Sequence, residues 1–208
     1  MRKTGWGAVA FFACLFTLAA TAGASNNSAF SDPAGDASSS APDITSVQVS
    51  NDDAAIVTFH VSIPNRAALS DPDLVAVLVD ADGKAGTGCA RGAFGAEYAL
   101  DVLAQRYVFG RCIKGHWDFT RPPASFRGSY GGSTLTLQVS RRDLGGGNNF
   151  KFRVGSAGTS DDGAAYDFAP NVGLTPWSYH IVAPPQAVKK PPKRHLKRRK
   201  PHRRIRRP

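Results

Sequence analysis

One glutamate, one methionine and three cysteines are all that 208 residues contain of those types. Each scarcity excludes something. A single Glu97 against 21 glycines and 14 prolines argues against a helical protein. Met1 stands alone and is expected to leave with an N-terminal segment, so a methionine axial ligand for haem is excluded. No C-x-x-C occurs, and His60, His116 and His180 are isolated, so the close ligand spacing of a zinc site is missing. A bis-histidine haem site built from those three histidines stays open. There is no G-x-S-x-G elbow, no ordered set of Ser, His and Asp, and no motif that fixes two carboxylates across a cleft. The chain therefore reads as non-enzymatic, with a secreted enzyme or a haem or redox domain as the alternative. No repeat of 20 to 50 residues is present, which removes propellers and solenoids.

Charge is unevenly placed. The formal net charge is +10. Arg2 and Lys3 lie at the N-terminus, and twelve basic residues crowd between Lys189 and Arg207, where there is no acid. Residues 25–183 hold the other twelve bases and all sixteen acids, so that part carries a net charge of −4.

Arg2 and Lys3 precede an apolar run from Gly5 to Ala22, and Ala22-Gly23-Ala24 is a small-x-small cleavage pattern. Residues 1–24 read as a signal peptide of an exported, secreted protein, although the run is also long enough to be kept as an anchor. Removing it leaves Cys89 and Cys112, and an even count in an exported chain predicts a disulfide between them.

Residues 25–41, rich in Ser, Ala, Asn, Asp, Gly and Pro, read as a flexible lead-in. Beyond it the pattern is short strands and turns. Ile44, Val47 and Val49 lead through Asn51-Asp52-Asp53 to an alternating run from Ala55 to Ile63, which predicts a hairpin. Leu74 to Val79 is almost continuously apolar, as a central strand covered on both faces or a short buried helix would be. Residues 81–95 form a long loop. Glu97–Leu103 and Arg106–Cys112 predict a second hairpin that returns Cys112 toward Cys89. Ala124–Tyr130 and Ser133–Val139 flank a Gly131-Gly132 turn. Alternation at Phe150, Phe152 and Val154, and at Trp177, Tyr179 and Ile181, completes nine or ten strands. The expected fold is all-β, an antiparallel two-sheet sandwich over residues 42–183.

The ordered series Asp32-Pro33-Ala34-Gly35-Asp36, Pro42-Asp43-Ile44, Val79-Asp80-Ala81-Asp82-Gly83, Thr87-Gly88, Glu97-Tyr98, Arg142-Asp143-Leu144-Gly145, Asp167 and Pro176-Trp177-Ser178-Tyr179 resembles exported β-sandwich domains similar to family 9 carbohydrate-binding modules and DOMON-type domains. That resemblance implies a two-sheet sandwich and roles ranging from sugar binding to haem binding to unassigned surface modules.

Calcium takes six to eight oxygen ligands, and loops with alternating Asp and a Gly supply them. Asp80 with Asp82, and Asp32 with Asp36, are the candidate ligands; Asp161, Asp162 and Asp167 offer others. The competing reading is turn chemistry, since Asp side chains bond their own backbone two residues on. Among aromatics, Trp117, next to His116 and Asp118 and near Arg121-Pro122-Pro123, and Tyr98 are the candidates for stacking on a sugar face.

Residues 184–208 contain Lys189, Lys190, Lys193, Arg194, Lys197, Arg198, Arg199, Lys200, Arg203, Arg204, Arg206 and Arg207 with six prolines. Such a segment buries too little apolar surface to offset its ordering entropy, so it reads as a disordered cationic arm. Its expected partners are anionic cell-envelope polymers or lipid headgroups. No aromatic is interleaved for base stacking, so nucleic acid is not the expected physiological partner. The leading functional expectation is a secreted module, carbohydrate-binding by resemblance, held to an anionic surface. Its rival is a structural or interaction domain with no small ligand.

Overall fold

The structure, a computed structural model, describes residues 26–38, 40–89, 94–103, 105–160 and 163–182. The expected signal segment and basic arm lie outside the described residues, as do Asp161 and Asp162. In chain order the strands are β1 (Asn26–Ser31), β2 (Ser46–Asn51), β3 (Ile56–Ser62), β4 (Leu74–Asp80), β5 (Tyr98–Leu103) and β6 (Arg106–Ile113). There follow β7 (His116–Asp118), β8 (Arg127–Gly131), β9 (Thr134–Ser140), β10 (Asn149–Ser160), β11 (Gly163–Ala169) and β12 (Trp177–His180). Among the described residues one 3-10 turn, Arg141–Leu144, interrupts them, capped by Ser140 and ended by Gly145 in the left-handed region at φ 85°.

Two antiparallel sheets pack as a sandwich. One has five strands in the order β1-β2-β3-β9-β8. The other has seven, β11-β10-β4-β5-β6-β7, with β12 also pairing β10. The 12-residue β10 serves two neighbours in tandem along one side, β12 through Asn149–Phe152 and β11 through Val154–Ser160.

The core follows from alternation. In β3, Val57, Phe59 and Val61 are wholly buried, while Ile56, Thr58, His60 and Ser62 are half-buried on the outer face. In β4, Val75, Val77 and Val79 point inward, and Leu74, Ala76 and Leu78 are half-buried outside, so its apolar run reflects two unequal faces. Aromatic rings join the sheets: Phe59 meets Phe150 and Phe152 at 5.9 and 5.6 Å between centroids, and Phe30 of β1 lies 5.1 Å from both Phe152 and Trp177.

The predicted hairpins β2–β3, β5–β6 and β8–β9 are all present. The last turns one residue later than expected, through Gly132 and Ser133, because Gly131 still pairs with Thr134. Both turn residues have positive φ, 57° and 60°, the primed geometry that matches strand twist. The Cys89–Cys112 disulfide is formed across a separation of 23 residues. It is consistent with an oxidising, extracellular setting.

One expectation needs correction. The sandwich begins at Asn26, because β1 occupies the segment expected to be a flexible lead-in. Its sequence, Asn-Asn-Ser-Ala-Phe-Ser, shows no apolar alternation, since an edge strand lies half in solvent and contributes only Phe30 to the core. No helix of the described residues is long and apolar enough to cross a membrane.

Candidate functional site

Two acidic groups converge among the described residues. Asp32, Asp36 and Asp167 bring carboxylate oxygens within 4.8 Å of one another, and so do Asp80, Asp82 and Glu97. That span equals two cation–oxygen bonds of about 2.4 Å placed on opposite sides of one ion. Either triad can therefore hold a metal ion such as Ca²⁺. Their hydrogen bonding tells them apart.

The group at Asp80 is satisfied by its own loop. Asp80 ends β4 and accepts from the Gly83 N–H at 2.6 Å, with Gly83 in the left-handed region at φ 74°. Asp82 accepts from Lys84 N–H at 2.9 Å and from the Thr87 hydroxyl at 3.0 Å. Glu97 takes the Ala81 N–H on one oxygen at 2.9 Å, and its other oxygen lies 2.9 Å from the Thr87 hydroxyl, whose single proton is shared among Asp82, Glu97 and Lys84 O. This is the turn chemistry that competes with ligation. Asp80 is held above the usual carboxylate range, first by burial, with Asp82 adding and the Gly83 N–H and Lys151 opposing.

The group at Asp32 is different. Asp32 follows β1 directly, and its own N–H donates to Thr45 O at 3.0 Å. Gly35, at φ 80°, then reverses the chain, and its N–H is shared by the two oxygens of Asp43 at 3.1 and 3.0 Å. Asp36 accepts from the Asn171 amide at 2.7 Å. Asp167 arrives from β11, opposite Ser156 of β10, and accepts from the Ile44 N–H at 2.7 Å. Asp167 is 3% exposed and Asp32 9%, yet Asp167 Oδ1 and Asp32 Oδ2 have no hydrogen-bond partner among the described residues. No Lys or Arg among the described residues forms an ion pair with any of the four carboxylates.

Burying unpaired carboxylates together is costly, and the ionisation reflects it. Asp32 is pushed up to about 7, first by burial and then by the charges of Asp36, Asp167 and Asp43. Asp167 is also raised, chiefly by burial, against the opposing N–H groups of Ile44 and Phe168. Hard oxygen donors, converging negative charge and two buried oxygens without partners fit a hard divalent cation. Sequence spacing brought Asp32 and Asp36 together as candidates. It did not join Asp167 to them, because only the folding of β11 beside the 32–44 segment supplies that neighbour.

The aromatic candidates separate as well. Tyr98 is half-buried, its ring 5.9 Å from Phe109. Trp117 is half-buried on β7 opposite Cys112, its ring 6.2 Å from Phe119. A feature missed by sequence reasoning is an open cavity of about 590 Å³ between the 81–83 turn, residues 147–151 and residues 178–180. Asp82, Asn148, Asn149, Lys151, Ser178 and His180 give it its polar groups. His180 Nδ1 and Asn149 Oδ1 are 2.6 Å apart. These residues are remote in sequence, and only the pairing of β12 and β4 with β10 assembles them. The three histidines fall on β3, β7 and β12.

Comparison of the chain with family models, with curated proteins and with solved structures finds no match to any of them.

Proposed function

We propose that the chain is an exported, non-enzymatic β-sandwich binding module that carries one structural Ca²⁺ at Asp32, Asp36 and Asp167. Its Lys- and Arg-rich end holds it to an anionic envelope polymer or to lipid headgroups. The observation that carries the calcium part is the pair of buried carboxylate oxygens, on Asp32 and Asp167, that nothing among the described residues satisfies. The disulfide supports an extracellular setting, where calcium is abundant enough to fill a site built from three carboxylates. The open cavity supports the ligand part: its amides, hydroxyl, ammonium and carboxylate offer both donors and acceptors, as a hydroxyl-rich ligand such as a glycan requires.

Thermal unfolding with CaCl₂ and with EDTA tests the metal. Calcium at about 100 times its Kd adds roughly 2.7 kcal/mol, and the melting temperature should rise by several degrees. Asp167→Asn should lose that rise, whereas Asp82→Asn should keep it. Equal melting temperatures in calcium and EDTA would overturn the reading. For the ligand, a glycan array on which Lys151→Ala and parent protein are both blank would leave the interaction-domain reading instead.

A further inference from the structure

We infer that a cation at Asp32, Asp36 and Asp167 acts as a latch, closing the segment between β1 and β2 over the open edge of β11. This rests on the calcium reading above and adds a mechanical consequence to it. The outermost strand of a sheet presents backbone N–H and C=O groups that pair with any extended chain unless they are covered. In β11 the cover is Ser38. Its N–H and its hydroxyl both donate to Tyr166 O at 2.9 Å, and its Oγ accepts from the Tyr166 N–H at 2.6 Å. One residue thus completes both backbone groups of Tyr166.

The same segment touches β10 and β11 at three further places. Asp167 accepts from the Ile44 N–H, and Ser156 Oγ donates to Pro42 O at 2.5 Å. Ser40 O lies 3.0 Å from where a Cβ on Gly158 would stand, so glycine is what lets the segment approach so closely. The segment is anchored at both ends: Phe30 sits against Phe152 and Trp177, and Ile44 is wholly buried.

Between those anchors the acids oppose closure. Asp32 and Asp36 belong to the segment and Asp167 to β11, so unneutralised repulsion pushes across the contact that Ser38 makes. A cation reverses the sign of that interaction. Lifting the segment would bare the edge of β11 at Tyr166, which is 51% exposed.

Hydrogen exchange of the purified chain tests this, read at the Tyr166 and Ile44 amides in CaCl₂ and in EDTA, with Phe59 and Leu137 as references in the five-stranded sheet. If the open form does not hold calcium, a concentration about 100 times Kd slows exchange at Tyr166 and Ile44 about 100-fold. The references should change far less. Ser38→Ala removes the hydroxyl that accepts from the Tyr166 N–H and leaves every carboxylate in place, so Tyr166 should exchange quickly even in calcium while the calcium-dependent rise in melting temperature persists. If calcium raises the melting temperature but exchange at Tyr166 and Ile44 matches that in EDTA, the latch is overturned and the calcium site stands. If calcium alters neither, both fail.

Discussion

Asp101 and Arg153 each bury a polar atom without a partner among the described residues, and they differ from Asp32 and Asp167 in belonging to no acidic cluster there. Asp101, in β5 between Ala76 of β4 and Val108 of β6, is pushed up to about 7 by burial alone. The sign of the effect on stability follows. The unfolded chain releases this proton near the ordinary value of 3.8 and the folded chain near 7, so stability is greatest at low pH and declines as pH rises between the two. The decline is at most about 1.4 kcal/mol per pH unit. Asp101→Asn should therefore be more stable than the parent at pH 8 and close to it at pH 4, measured by urea unfolding in calcium. A constant difference across that range would show that Asp101 stays charged in the fold. Arg153, 7% exposed, donates to Leu174 O at 2.7 Å and so ties the connection before β12 to β10. None of this was legible in sequence, where an Asp in a strand gives no sign of which face it takes or what covers it.

Hairpins were the most legible elements, because each is set by local turn chemistry and a short alternating run. The long-range elements were less so. β1 escaped notice for lack of apolar alternation, and β7 and β11 because short or Gly- and Ala-rich strands carry little pattern. Two measurements bear on this scale. Replacing Cys89 and Cys112 by serine releases the 81–96 loop from β6 and should lower stability by roughly 3 kcal/mol in chemical denaturation. Gly128 of β8 is held against the Tyr107 ring from β6, with only 2.1 Å between the ring and the site a Cβ would occupy. Gly128→Ala should cost about 1–3 kcal/mol. Gly131→Ala, which meets nothing within 4 Å, should be nearly neutral. Combining Gly128→Ala with Tyr107→Ala should recover part of the loss, and strict additivity would show that the ring is not the obstacle.

At the scale of the whole molecule, the net charge of +10 is a sum of unlike parts. Residues 25–183 carry −4, and they include an acidic cluster with which no described base forms an ion pair. A chain ending at Ala183 should keep its melting temperature and lose salt-sensitive retention on anionic envelope fragments. Retention that survives the deletion, or that 1 M NaCl leaves unchanged, would show that the basic segment is not the attachment.

The sequence by itself determined the all-β class, the main hairpins, the disulfide and the separation of charge, since each depends on residues near one another or on composition. Only the tertiary structure decided which acids converge. Asp80 with Asp82 and Asp32 with Asp36 were equal calcium candidates in the sequence, but the oxygens of Asp80 and Asp82 are engaged by Gly83, Lys84 and Thr87 of the adjoining turn. Asp32 and Asp36 gain their third partner from Asp167, more than 120 residues away, when β11 docks beside the 32–44 segment. Folding buries Asp32 and Asp167 side by side with one oxygen of each unpartnered among the described residues, and that is set by neighbours that linear spacing does not reveal.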